Sequence, residues 1–261
     1  MEQERNLEID NLRNSIAGGH PDRFKYDPEH GNKVLAKKTN QFEIEAYQKI
    51  YIDDENHPHY KANIIFRNFL PKYHGHHEED GEIHIKLDNL MFGMENASIL
   101  DLKMGTSSIT VNTPKKLYEK VSQKDAKTTS VSLGFRVTAL IVKDEKGEIV
   151  EKIRKPHETV DASNMHEFII KVLKSNSHPE VNREALDFFK LRAIEMLNYF
   201  KNHHARRIAG SSILLIVDNI NKRYEMKIID LSSCEDFEDQ SKRDEGYILG
   251  IESLIQLFDR I

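Results

Sequence analysis

Tryptophan is absent from this 261-residue chain, and cysteine occurs once, as Cys234. A single thiol permits no internal disulfide framework and no cysteine-based zinc site, which fits a reducing compartment. No apolar run approaches membrane-spanning length, and the charged opening MEQERNLEIDNLRNS lacks an apolar signal core. The expectation is a soluble protein of the cytoplasm or nucleus with no stable membrane association. A net charge of −5 supplies none of the global basic field that marks nucleic-acid binders, so no nucleic-acid partner is expected. The loops GxxxxGK[ST] and GxGxxG are missing, and so are HRD and DFG. That argues against a P-loop enzyme and an ordinary protein kinase.

What is present is an ordinary globular composition, 38% hydrophobic and 31% charged, on a chain long enough to bury a real core. There is no internal repeat. KVLAKK (33–38) predicts a strand and FEIEAYQKIY (42–51) a helix with Phe42, Ala46, Tyr47 and Ile50 near one face. The run ANIIFRNFL (62–70) reads as a strand, PKYHGHHEEDGE as a polar loop, and IHIKLDNL (83–90) as an alternating strand. Residues 18–31 read as turn-rich. Further on, Thr113 and Pro114 suit the cap and first position of a helix over 111–127. A hairpin turns at 144–147, a core helix covers 182–200, and a second hairpin joins 211–218 to 223–230. The last residues form an amphipathic helix. A small sheet followed by a larger mixed half predicts an α+β chain with two lobes.

Four features could carry chemistry. In SILDLKMGTSS (98–108), strand geometry puts Ile99, Asp101 and Lys103 on one face and Leu100, Leu102 and Met104 on the other. Either this is an edge strand with one wet face, or its polar face floors an active site. The second hairpin, turning between Ile220 and Asn221, brings Ser211 and Ser212 beside Asp230 and Ile229. A carboxylate there can hold a hard cation such as magnesium, or simply cap the next turn. Lys116, Lys120 and Lys124 recur at i, i+4 and i+8, a face that is either solvated or built for a polyphosphate. Lys37 lies on a strand of the small sheet, where kinases place a phosphate-binding lysine, although Lys33 and Lys38 compete for that role. The histidines of HPH (57–59) and HGHHEED (74–80) are ligand types for zinc, but their spacing is irregular and no second cluster shows ligand spacing.

Together these residues resemble the inositol polyphosphate kinase family. ASILDLKMG (97–105) is similar to that family's PxxxDxKxG signature at Asp101, Lys103 and Gly105, with Ala97 in place of the proline. GSSILLIVD (210–218) resembles its Ser-Ser-Leu-Leu motif, KIID (227–230) its metal-binding strand end, and DEGYILGIESLI (244–255) its C-terminal block. Gly18-Gly19-His20, SLGFRV (132–137) and LDNL (87–90) match more weakly. The resemblance implies a two-lobed kinase-like fold, with a small N-terminal antiparallel lobe over 1–87, a hinge at 88–90, and a larger lobe over 91–261 in which 111–127 is the substrate-binding helical segment. It implies ATP and Mg²⁺ as cofactors, an inositol polyphosphate as substrate, and a monomer. Lys37 would hold the ATP phosphates, Asp88 and Leu90 would offer backbone groups to adenine, and Asp101 would lie by the ribose and the acceptor. Lys103 would meet the transferred phosphoryl group, Asp230 would bind the metal with Ser212 in support, and Lys116, Lys120 and Lys124 would grip the substrate. Ser233 stands where the family usually has a histidine. Only 27 residues separate Gly105 from Leu133, which argues against the trisphosphate 3-kinase branch with its long insertion. The run DLKMGT and the following TTSVSLGFRV look most like hexakisphosphate kinases, which form diphosphoinositols, with multikinases acting on ring hydroxyls as the alternative. A non-catalytic inositol-phosphate-binding scaffold is the reading from another class.

Overall fold

The structure, a computed structural model, describes residues 12, 16–18, 20–110, 113–156, 159–174, 179–203, 206–239 and 241–261. Gly19 and most of the polar lead-in lie outside these. Among the described residues no helix is long and apolar enough to cross a membrane.

The first part pairs β1 (Phe24–Asp27) with β2 (Gly31–Lys38), followed by helices α1 (Gln41–Ile50) and α2 (Tyr60–Arg67) and the hairpin β3 (Tyr73–Glu79) and β4 (Glu82–Asp88). These strands form an antiparallel sheet in the order β1-β2-β4-β3. Asn40 starts α1 by accepting a hydrogen bond from the Glu43 amide at 3.1 Å. The helix buries Glu43, Ile44, Ala46, Tyr47 and Ile50, whereas Phe42, expected near that face, is 52% exposed.

Three sequence expectations fail in this part. Residues 18–31 read as turn-rich, yet Phe24–Asp27 within them forms β1. Residues 62–70 are not a strand: α2 is a helix whose buried side carries Asn63 and Phe66, three residues apart. Phe66 stacks on Tyr199 at 5.2 Å, and Asn63 donates to the Lys49 carbonyl at 3.1 Å while accepting from Arg206 at 2.7 Å. The expected polar loop after it contains β3, whose polar side chains belong to the exposed edge of the sheet.

The second part contains β5 (Ser98–Met104), α3 (Tyr118–Ala126), the short α4 (Ser130–Leu133), β6 (Phe135–Lys143) and β7 (Ile149–Arg154). Then follow α5 (Met165–Leu173), α6 (Arg183–Asn202), β8 (Arg206–Ile208), β9 (Ser212–Asp218), β10 (Arg223–Ile229), β11 (Cys234–Asp236) and α7 (Glu245–Arg260). Five strands form a sheet in the order β10-β9-β5-β6-β7, and β8 pairs with β11. The strand bearing Asp101 and Lys103 is therefore central, not an edge. The β9–β10 register runs from Asp218 opposite Arg223 to Ser212 opposite Ile229, as the turn position predicts.

Leu100, Leu102 and Met104 enter the main core, against α5, α6 and α7. Phe189 stacks on Phe258 and Phe200 on Tyr247, locking α6 to α7. Gly134, at φ +71°, meets Gly250 of α7 so closely that a Cβ on Gly134 would lie 2.4 Å from the Gly250 nitrogen. The expected helix over 111–127 is also revised. Lys115–Leu117 is a 3₁₀ turn and α3 starts only at Tyr118. The Thr113 hydroxyl makes no helix cap and instead accepts from the Thr110 amide at 2.9 Å. Residues 111–112 lie outside the described residues.

Phe66→Ala removes a fully buried ring that packs on Tyr199 and Phe200 of α6. It should destabilise the chain by about 3–5 kcal/mol in urea unfolding. Ile64→Ala, on the exposed side of the same helix, should stay within about 0.5 kcal/mol.

Candidate active site

A cavity of about 420 Å³ opens between the two sheets. Its apolar walls come from Leu35 and Leu87 on one side and from Ile99, Leu214 and Ile216 on the other. Its charged lining consists of Arg23, Lys37, Lys38, Glu43, Asp88, Asp101, Lys103 and Asp230, with His20 at the rim. As strand alternation predicts, Ile99, Asp101 and Lys103 all face it.

Lys37 is the bridge. From β2 its ammonium donates to both oxygens of Glu43, at 2.9 and 3.0 Å, and to Asp230 at the end of β10. Glu43, 1% exposed, also accepts from the Thr39 hydroxyl and from the Leu231 amide at 3.2 Å. Burial alone would lower the Lys37 pKa, but the Asp230 and Glu43 charges outweigh it and the value is raised. Asp230 answers in kind: burial opposes its charge, yet Lys37 and Lys103 hold its carboxyl below the ordinary value. Its backbone sits at φ +64°, a left-handed conformation that a non-glycine residue keeps only under constraint from its surroundings.

Asp101 is 5% exposed in the middle of the sheet. Burial raises its pKa, against the opposing effect of the Thr138 and Ser212 hydroxyls. Among the described residues its Oδ1 is buried without a hydrogen-bond partner. Gly18 lies directly over this carboxylate, where a Cβ would come within 2.0 Å of Oδ2. Lys103 is desolvated and its pKa falls, although Asp230 partly counters this.

The other predicted residues separate into near and far. Asp88 and Leu90 line the cavity, with the Asp88 amide donating to the Lys72 carbonyl and its carboxylate 2.6 Å from His74 Nε2. Ser212 is buried between Lys103 on β5 and Ile229 on β10, its hydroxyl directed to Asp101. Lys116, Lys120 and Lys124 lie outside the cavity. The 3₁₀ turn takes Lys116 off the helical row. Lys124 is nearest: partial burial first, then the charges of Arg136 and Lys103, lower its pKa.

Sequence reasoning missed two groups. Glu43 is a carboxylate on the buried face of an apolar helix, and its position beside Ile44 and Tyr47 was the available signal. The second group is a buried polar network beneath the lysine helix. Asp125 of α3, 2% exposed, accepts from the Ser108 amide at 2.6 Å, its hydroxyl at 3.0 Å, and Arg136 at 3.0 Å. Arg136 also donates to Ser130 at 2.7 Å and lies opposite Lys103 in the β5–β6 register. The network ties α3 to β6, the neighbour of the strand that floors the cavity.

The family model for inositol polyphosphate kinase matches residues 84–259. The chain belongs to the inositol polyphosphate kinase family. Inositol polyphosphate multikinase alpha of Arabidopsis thaliana is 24% identical, with the match covering 69% of this chain and 66% of the relative. Inositol-trisphosphate 3-kinase A of Mus musculus is 22% identical over 85% of this chain and 57% of its own length. The chain thus spans about two thirds or less of these curated relatives. Among solved structures, inositol phosphate multikinase Ipk2 of S. cerevisiae, crystallised with ADP and Mn²⁺, superposes with a TM-score of 0.71 at 20% identity, covering 87% of this chain and 98% of that one. This likeness establishes the kinase fold of the family.

Arg136→Ala strands the Asp125 carboxylate in the interior and should cost about 3–5 kcal/mol in urea unfolding. Lys120→Ala, on the exposed surface of the same helix, should leave stability within about 0.5 kcal/mol.

Proposed function

We propose that this chain is an ATP-dependent inositol phosphate kinase that phosphorylates a ring hydroxyl, in the manner of a multikinase. The hexakisphosphate reading gives way to this alternative for two reasons. The relatives reported above are multikinases and trisphosphate 3-kinases. The observation that carries the choice is Asp101, a buried carboxylate with a raised pKa and an unpartnered oxygen in the same cavity as Lys103. A hydroxyl acceptor must lose a proton as it attacks, and such a carboxylate is a base tuned toward neutrality. A phosphate acceptor, already ionised, needs no such base. The short span from Gly105 to Leu133 favours the multikinase branch over the trisphosphate 3-kinases.

In this reading the division at 88–90 is a hinge, where Asp88 and Leu90 meet adenine. The apolar walls below it take the base. Lys37 holds the triphosphate, and Lys103 neutralises charge on the phosphoryl group in transit. Lys124 collects acceptor phosphates next to Lys103, with Lys116 and Lys120 further out. The Asp230 carboxylate, 43% exposed at the cavity, is an oxygen donor of the kind a hard divalent cation takes. Asp230 would hold the ion, and Ser212 would support the site by orienting Asp101. When bound, the metal supplies positive charge to the phosphate oxygens.

Purified enzyme with ATP and Mg²⁺ should phosphorylate inositol tris- or tetrakisphosphate at a ring hydroxyl, with the product position read by phosphorus NMR. Lys103→Ala should lower kcat by about 10²–10³-fold. A diphosphate formed from hexakisphosphate alone overturns the hydroxyl reading, and absence of turnover with every inositol phosphate overturns the kinase reading.

The pH profile gives a separate check. A base with a raised pKa is lost as pH falls through that raised value. The acid limb of kcat should therefore lie above the range of an ordinary carboxylate. Asp101→Asn should remove the limb and lower kcat by about 10²–10⁴-fold.

A further inference from the structure

The histidine-rich stretch becomes informative once it is known to be a strand. In the β3–β4 register His77 lies directly opposite His84, and Glu79 opposite Glu82. Residues two apart on a strand share a face, so His77, Glu79 and His84 converge on one surface of the hairpin. One ring nitrogen of each histidine and one carboxylate oxygen of Glu79 lie within 4.8 Å of one another. The imidazole rings are 5.2 Å apart and nearly parallel, and His77 Nε2 is 3.9 Å from a Glu79 oxygen. Both Nδ1 atoms are buried, and among the described residues neither has a hydrogen-bond partner. Two buried, unsatisfied imidazole nitrogens on facing residues are a cost that the surrounding protein does not offset.

We propose that the β3–β4 hairpin carries a transition-metal site, with His77, His84 and Glu79 as ligands for a zinc-class divalent ion. Two imidazoles and a carboxylate are an accepted three-ligand set that leaves a fourth position for water. Imidazole also selects such ions over magnesium, which prefers oxygen alone. Ligand atoms around a tetrahedral ion lie roughly 3.4 Å apart for bonds near 2 Å, so closing this set calls for side-chain rotation by about 1 Å.

Lys25 pairs with Glu79, and Lys38 with Glu82 at 2.6 Å. The Lys25 side chain is 40% exposed and can return to water when a divalent ion takes its place on the carboxylate. The neighbouring set Asp27, Glu29 and His30 differs, because both of its carboxylates already pair with a lysine. Lys86 sits 2.9 and 2.8 Å from the two carboxylates, and His30 bonds Asp27 at 2.5 Å. His74 and His76 are likewise engaged, by Asp88 and Tyr73.

The site lies on the opposite face of the sheet from Lys37 and does not depend on the kinase reading. Full-length, chelator-stripped protein would be titrated with Co²⁺ in excess Mg²⁺, so that magnesium saturates any oxygen-ligand site. One equivalent of Co²⁺ should bind and give the intense visible bands of a four-coordinate ion, and Zn²⁺ should displace it. His77→Ala and His84→Ala should each weaken binding at least tenfold. Glu79→Gln, which leaves the hairpin's shape intact, should weaken it with altered bands, and His57→Ala should change nothing. Circular dichroism of each variant reports its fold. The proposal is overturned by absence of the bands, or by affinity unchanged in both histidine variants.

Discussion

One ammonium group connects the two sheets. Lys37 comes from the four-stranded sheet, Glu43 from the helix that follows it, and Asp230 from the end of a strand in the five-stranded sheet. Burying Lys37 and Glu43 this way incurs a desolvation penalty that attraction offsets only with good geometry and full hydrogen bonding. Glu43 meets that condition through Lys37, Thr39 and the Leu231 amide. Asp230 does not, because its side chain remains 43% exposed at the cavity and its backbone is strained. The cluster is thus satisfied on its structural side and open on the side that faces the cavity. A polyanion entering there competes with Asp230 for Lys37. That exchange is what the proposed reaction asks of the pair.

The same asymmetry governs Asp101. A carboxylate on the central strand of a sheet is a poor choice for stability, and the structure accommodates it by local means. The β5–β6 register slips between Asp101 and Leu102, and the Thr138 hydroxyl donates to the Asp101 carbonyl at 3.0 Å. Bulges of this kind re-aim a side chain. Gly18, having no side chain, can cover the carboxylate without touching it, and thereby keeps it dry. Burial raises the pKa, and the lone unsatisfied oxygen leaves one acceptor for an incoming proton. Strain falls on Asp230 and desolvation on Asp101, two of the four carboxylates that line the cavity, while the apolar face of the Asp101 strand is packed conventionally.

Much of this was legible in the residues, and the failures have physical causes. Alternation along 98–104 correctly assigned Asp101 and Lys103 to one face, because strand period is local. It could not say that the strand was central, since that depends on β9 and β6 arriving on either side. The β9–β10 register followed from the turn position alone. Residues 62–70 misled because an Ile-Ile-Phe run reads equally well in either periodicity, and only Tyr199 and Arg206, far along the chain, select the helix. The strand β3 was invisible because its side chains are polar and its order comes from backbone pairing with β4. Glu43 was missed for the converse reason: a lone carboxylate on an apolar helix face passed as incidental.

The lysine segment shows how such a cost is distributed. A row of ammonium groups repels itself, and α3 has weak intrinsic support, with no side-chain cap at its start. What holds it is beneath it. Asp125 fixes its last turn to the Ser108 loop and to Arg136, which stands beside Lys103 on the sheet. The 3₁₀ turn then carries Lys116 away from the axis shared by Lys120 and Lys124, so the positive charge fans out instead of stacking. Repulsion that would weaken a free helix becomes, on this anchored one, a positive field next to the cavity. The anchor Arg136 and the floor residue Lys103 stand opposite each other on adjacent strands, so the last turn of α3 is held close to the cavity floor. Position and charge are set by the same buried ion pair.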